Sequence, residues 1–168
     1  QTLLRLGLSS PIVKQNNQYI RKEDMKKVID RLYSFRDLFE KFRVRPNLDC
    51  GFPLCNFTNE QLGWFFRMSG AVNFGCGPAI DIKPNMDVYS CFPISNIHKK
   101  SLFEFNSIHE VAAFYVNLHD QIRQDIPGVF DECAACIFRS EGRCSGGGVC
   151  HILRNFAIIL NSVSLVNR

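Results

Sequence analysis

Cys133-Ala-Ala-Cys136-Ile-Phe-Arg-Ser-Glu-Gly-Arg-Cys144-Ser-Gly-Gly-Gly-Val-Cys150 brings four thiols into 18 residues of chain. Large apolar side chains are few here, so the order of the loop has to come from something other than a core. Cys133 and Cys136 lie on one tight turn, near enough to chelate one ion or cluster. Three consecutive glycines let the backbone come close and aim N–H groups at sulfur, which stabilises a negatively charged thiolate site.

Four more cysteines lie upstream: Cys50, Cys55, Cys76 and Cys91. Two short runs, Ala79–Ile82 and Val88–Cys91, flank Pro84-Asn85-Met86-Asp87, a hairpin by its turn chemistry. Cys76 and Cys91 stand at the two ends of that hairpin, a natural clip for a second site. Cys50 and Cys55 have an ordinary alternative, because a free buried cysteine packs as a small apolar residue. A disulfide scaffold is disfavoured, because 15 phenylalanines and amphipathic helices supply a core without staples. Spacing alone leaves a four-cysteine zinc site and iron–sulfur clusters equally open.

Working outward, Thr2–Leu8 alternates as a strand and Ser9-Ser10-Pro11 ends it. From Lys22 to Phe42 apolar residues recur at three- and four-residue steps, with Met25, Val28, Ile29, Leu32, Leu38, Phe39 and Phe42 on one side. A second strand, Val44–Cys50, precedes a helix capped by Thr58 and running to about Met68, with Leu62, Phe65 and Phe66 buried. Strand–helix–strand–helix is the signature of a parallel, layered α/β unit, and a domain boundary is expected near residue 70. Beyond it, Ser107-Ile108-His109-Glu110 reads as a capping box opening a helix to about Arg123. Its stripe is Ile108, Val111, Ala112, Tyr115, Leu118 and Ile122. A last helix is expected from about Ile152 to Val163. The fold class is mixed α/β: residues 1–70 in strand–helix units, residues 71–168 a small α+β domain with a hairpin and cysteine-rich loops.

A net charge of +4 is modest, and the basic residues of Arg21–Arg45 are interleaved with acids, which argues against nucleic acid as a partner. No stretch approaches the roughly 20 apolar residues of a membrane span, and the opening Gln1-Thr2-Leu3-Leu4 lacks the layout of a signal peptide. These features read as a soluble, cytoplasmic piece of a longer protein. The sequon Asn56-Phe57-Thr58 is then a chance match. His109 and His119 read as helix-surface residues, and His151 beside Cys150 as a capping or packing residue, with a noncysteine metal ligand as the alternative. Catalytic residues cannot be picked out: no Ser–His–Asp or paired-carboxylate arrangement is present.

Taken together, Cys76-x14-Cys91 and Cys133-x2-Cys136-x7-Cys144-x5-Cys150 resemble the SPASM domain, the auxiliary-cluster extension of radical S-adenosylmethionine (SAM) enzymes that mature proteins or modify peptides. Ile80-Asp81-Ile82-Lys83-Pro84-Asn85 looks like the hairpin between the first two family cysteines, with Met86 where the family pattern has glycine. The later spacings are longer than the family's CxxC-x5-C-x3-C, and its final cysteine is absent. By this resemblance Cys76, Cys91 and Cys150 would hold the first auxiliary four-iron cluster, and Cys133, Cys136 and Cys144 the second. Each set is then one sulfur short and Cys50 and Cys55 remain, eight thiols for two four-iron clusters, with Cys55 expected in the first set. The first 70 residues look like the last units of the partial TIM-type barrel that holds SAM. The resemblance implies an external electron donor and a peptide or protein substrate for the parent enzyme.

Two other readings stand beside it: a zinc-stabilised binding module and a small stand-alone electron carrier. The chain lacks a CxxxCxxC motif, which in the family carries the SAM-cleaving cluster. This 168-residue chain should therefore generate no 5′-deoxyadenosine from SAM under reducing conditions. Cleavage above a cluster-free control, followed by chromatography, would overturn that expectation.

Overall fold

Two strands, β1 (Thr2–Leu6) and β2 (Val44–Leu48), pair in parallel with Thr2 opposite Val44 and Leu6 opposite Leu48. A parallel pair needs a long crossover, and the 37 residues between them supply it with helices. Pro46 is tolerated in β2 because the sheet has two strands and both are edges. The structure is a computed structural model that describes residues 2–70 and 72–160, with side chains to residue 156.

The crossover is not the single helix that its periodicity suggests. A 3₁₀ turn at Lys22–Asp24 leads into α1 (Met25–Tyr33), and α2 (Arg36–Lys41) follows after a break. Ser34 causes the interruption, for its hydroxyl donates to the Arg31 carbonyl at 2.7 Å and competes with the helical ladder. Met25 and Ile29, one turn apart on α1, are wholly buried. The break turns Phe39 into the core while Leu38 and Phe42 stay exposed.

Helix α3 (Asn59–Ser69) starts at a complete capping box: Thr58 Oγ1 accepts from Gln61 N, and Gln61 Oε1 accepts from Thr58 N. Gly70 closes it with φ of 78°, the left-handed geometry of a helix C-cap. Trp64 and Phe65 are buried, and Trp64 Nε1 donates to Glu40 at 2.6 Å.

Beyond residue 70, β3 (Ile80–Ile82), β4 (Asp87–Ser90) and β5 (Lys100–Ser101) form an antiparallel sheet in the order β3-β4-β5. The β3–β4 hairpin is the one expected from its turn residues. Met86 sits at its turn with φ of 66°, a conformation that glycine adopts at little cost. Helix α4 (Ile108–Asp125) lies on this sheet through Val111 and Tyr115, whose hydroxyl donates to Val88 O at 2.6 Å. Its start differs from the expected box: Ser107 caps Glu110 N, but the Glu110 carboxylate reaches back to Asn106 N. Ile108, placed on the buried stripe by periodicity, is exposed, because it precedes the first turn that meets the sheet. A short α5 (Ile137–Ser140) and α6 (Val149–Leu160) complete the described chain. The expected helix end near Val163 lies outside the described residues.

The largest core cluster joins Met25, Ile29, Phe39, Leu48, Phe52, Phe57, Trp64 and Phe65 with Phe74 and Cys144. Apolar burial therefore crosses the cut near residue 70 and ties the cysteine loop to the first sheet. The mixed α/β class stands, with two small sheets.

The α3 cap gives a direct stability test. Thr58→Ala should lower the stability of the thiol-reduced chain by about 1 kcal/mol in urea unfolding, the usual worth of such a cap. An unchanged midpoint would mean that the Gln61 side chain alone satisfies this helix start.

Candidate metal centres

All eight cysteines are free thiols, and the fold gathers them into two groups of four. Cys55, Cys133, Cys136 and Cys144 line one small cavity with Arg139 and Gly146. Cys76, Cys91 and Cys150 share an apolar cluster with Ile94 and Val149, and Cys50 stands next to Cys76 and near Cys150.

The hairpin and the glycine loop deliver their thiols largely as their sequences suggest. Cys91 follows β4 in a left-handed conformation, φ of 54°, and its sulfur accepts from Ala79 N at 3.3 Å across the hairpin. Cys133 lies in a 3₁₀ turn, Asp131–Ala135, that also projects Cys136. Cys144 Sγ accepts from Gly146 N at 3.4 Å. Gly146, with φ of 76°, is required: a Cβ there would lie 2.5 Å from the Pro127 carbonyl oxygen. Gly128 is required for another reason, because its Cβ would fall 2.5 Å from Cys133 Sγ. Cys144 and Cys150, six positions apart in sequence, thus face different groups.

Cys50 and Cys55 are where the structure departs from the expected pairing. Both belong to the segment after β2, yet Cys55 stands with Cys133, Cys136 and Cys144, not with Cys76 and Cys91. Cys50, not Cys55, is the one beside Cys76. Phe52 between them and Phe57 just after Cys55 are both buried, and a 3₁₀ turn at Leu54–Asn56 swings the chain from one group to the other. The same burial leaves Asn56 Nδ2 out of water, unsuited to carry a glycan.

Electrostatics distinguish the members of each group. A hydrogen bond from Cys50, aided by the Val149 N–H and the Arg123 guanidinium, holds Cys76 below the ordinary thiol range against its burial. Cys50, which keeps its proton against that neighbour, is pushed far up. Burial, with the charges of Cys76 and Cys91, pushes Cys150 up to about 11. In the other group burial and the neighbouring thiols push Cys55 up to about 11, and Cys133 rises mainly through burial.

Two histidines lie behind the first group. His119 is buried, contrary to its reading as a surface residue, and its Nε2 stands 2.8 Å from Ser90 Oγ. Ser90 Oγ in turn lies 3.7 Å from Cys91 Sγ. The placement follows α4 itself, for Val111, Tyr115 and His119 succeed one another at four-residue steps on one face. His151 packs as expected, buried against Tyr19 with Nδ1 3.6 Å from Cys150 Sγ.

Among the described residues no three His, Cys, Asp or Glu side chains stand close enough to share a single metal ion. No described helix is long and apolar enough to cross a membrane. Compared with family models, curated proteins and solved structures, the chain matches none.

The buried histidines set an acid limit on stability. Burial lowers His119 and His151 from 6.5 to about 4. Between those values the unfolded chain binds protons that the folded chain refuses, so stability should fall as pH drops from 6.5 towards about 4 and change no further from this source below it. His119→Gln should flatten this slope in thiol-reduced protein. An identical slope in the double variant His119→Gln/His151→Gln would place its origin elsewhere.

Proposed function

We propose that this chain binds two four-iron clusters and is the C-terminal, auxiliary-cluster part of a radical SAM enzyme that modifies a peptide or protein. One observation carries the reading: eight thiols divide into two groups of four, each with backbone N–H donors to sulfur and an arginine nearby. Four thiolates are the ordinary ligand set of a four-iron cluster. Each thiolate there holds its own iron, so the sulfurs stand further apart than around one ion.

The first cluster would be held by Cys50, Cys76, Cys91 and Cys150, and the second by Cys55, Cys133, Cys136 and Cys144. When bound, such clusters supply one-electron transfer at potentials set by hydrogen bonds, charge and burial. The residues of this chain would orient the sulfurs, exclude water through Phe52, Phe57 and Val149, and neutralise charge. The left-handed Met86 supports the likeness to the SPASM hairpin, since the family's glycine at that turn suits the same backbone.

The partial-barrel reading of residues 1–70 draws on an apolar groove of about 320 Å³ lined by Leu4, Leu6, Phe35, Leu38, Phe42 and Val44. Parallel sheets are normally covered on both faces, and a two-stranded pair with such a groove fits as part of a larger sheet. The parent enzyme would need an external electron donor and would act on a peptide or protein. Reduced thiols in this number fit a reducing compartment such as the cytoplasm.

Anaerobic reconstitution tests the reading. A brown protein with about eight irons per chain is expected. Cys50→Ala and Cys91→Ala should each remove one cluster, and Cys55→Ala and Cys136→Ala the other, as told apart by their electron paramagnetic resonance signals. Colourless protein holding zinc would favour the binding-module reading. Loss of the same signal from Cys55→Ala and Cys91→Ala would refute the division.

A further inference from the structure

Helix α4 lies behind the first thiol group with four residues in line. Val111 and Tyr115 pack on Val88, His119 meets Ser90, and Arg123 reaches Cys76. Positions four apart share one helix face, so anchoring the first two against the hairpin aims the last two at its thiols. Arg123 Nη2 donates to the Cys76 carbonyl oxygen, which holds its guanidinium beside that cysteine.

Three facts mark Arg123 as uncommitted otherwise. Its Nε is buried and has no hydrogen-bond partner. None of the ion pairs among the described residues includes it. Its backbone carbonyl, not its side chain, takes the 2.6 Å hydrogen bond from Arg139, the arginine that lines the other cavity. An arginine is always charged, and a half-buried one without a carboxylate is costly unless an anion faces it.

We infer that Arg123 is the fixed counter-charge of the first thiol group, a positioning residue that sets the reduction potential of the cluster held there. The inference rests on the cluster reading above. A cluster that accepts one electron from an external reductant gains one negative charge, and no bond is made or broken. A cation held beside Cys76 stabilises the reduced state more than the oxidised one. Removing it makes reduction harder at that cluster alone, because Arg139 keeps both its own charge and its bond to the residue-123 carbonyl.

The test is a dithionite titration of the reconstituted chain, followed by electron paramagnetic resonance, for the unsubstituted protein, Arg123→Gln and Arg123→Lys. Arg123→Gln should disfavour reduction of the cluster that Cys91→Ala removes by about tenfold, or about 59 mV for one electron. The cluster that Cys136→Ala removes should be unmoved. Arg123→Lys, which restores charge without the guanidinium fork, should recover most of the difference. If Arg123→Gln fails to retain the first cluster while Arg123→Lys retains it, the charge requirement is equally shown. Equal shifts at both clusters, no shift at either, or loss of the first cluster in both variants would overturn the inference. A chain without clusters before substitution would instead overturn the reading on which it rests, and the inference with it.

Discussion

Phe52 and Phe57 have to leave water, and the thiol geometry depends on that burial. They lie in the segment between β2 and α3, on either side of Cys55 and both after Cys50. Phe52 is 1% exposed, and Phe57 meets Phe52, Phe65 and Phe74 at ring-centroid distances of 5.3–6.3 Å. Fully burying a side chain of this size is worth roughly 1.5–3 kcal/mol. With both rings fixed, the short segment has no freedom to send its two cysteines to one place. The same cluster includes Phe74 and Cys144, and Ser145 N and Oγ both bond to the Phe74 carbonyl oxygen. One apolar core thus holds the first sheet, the cysteine segment and the glycine loop in register.

Local chemistry made the other six thiols legible. Turn residues announce the hairpin that separates Cys76 from Cys91, and a short loop favours grouping Cys133, Cys136 and Cys144. Cys150 crosses to the other group because Gly146 and Gly147 reverse the chain with positive φ before α6 begins. The positions of Cys50 and Cys55 depend instead on a 3₁₀ turn and on which way two phenylalanines bury. Neither leaves a periodic trace in five residues. Chain order alone suggested Cys55 for the hairpin group, and tertiary packing reversed that order.

Helix faces show the same division. The Ser34 break between α1 and α2 arises from one side-chain hydrogen bond, which apolar periodicity does not register. His119 was legible in principle, since it continues the four-residue series from Val111 and Tyr115. A histidine on an apolar stripe was assigned to water on residue type, and its partner Ser90 lies 29 residues away on another element. Polar residues buried beside a thiol group acquire their meaning only when the elements meet.

Charge links these observations to chemistry. Each thiol group carries one exposed member, Cys50 or Cys55, and three that are buried or half-buried. Ionising all four without compensation would set like charges together in a medium poorer than water, and the upward shifts of Cys50, Cys55, Cys133 and Cys150 express that cost. Cys76 is instead drawn down, where the Cys50 thiol, the Val149 N–H and Arg123 converge. The fold therefore supplies one favourable thiolate in the first group, while Cys50, Cys55, Cys133 and Cys150 hold their protons more tightly. Arg139 at the second cavity, which favours the Cys133 thiolate against burial, is a weaker form of the same device. Under the cluster proposal, the N–H groups already aimed at Cys91 and Cys144 would be strengthened as hydrogen-bond donors once those sulfurs are ionised.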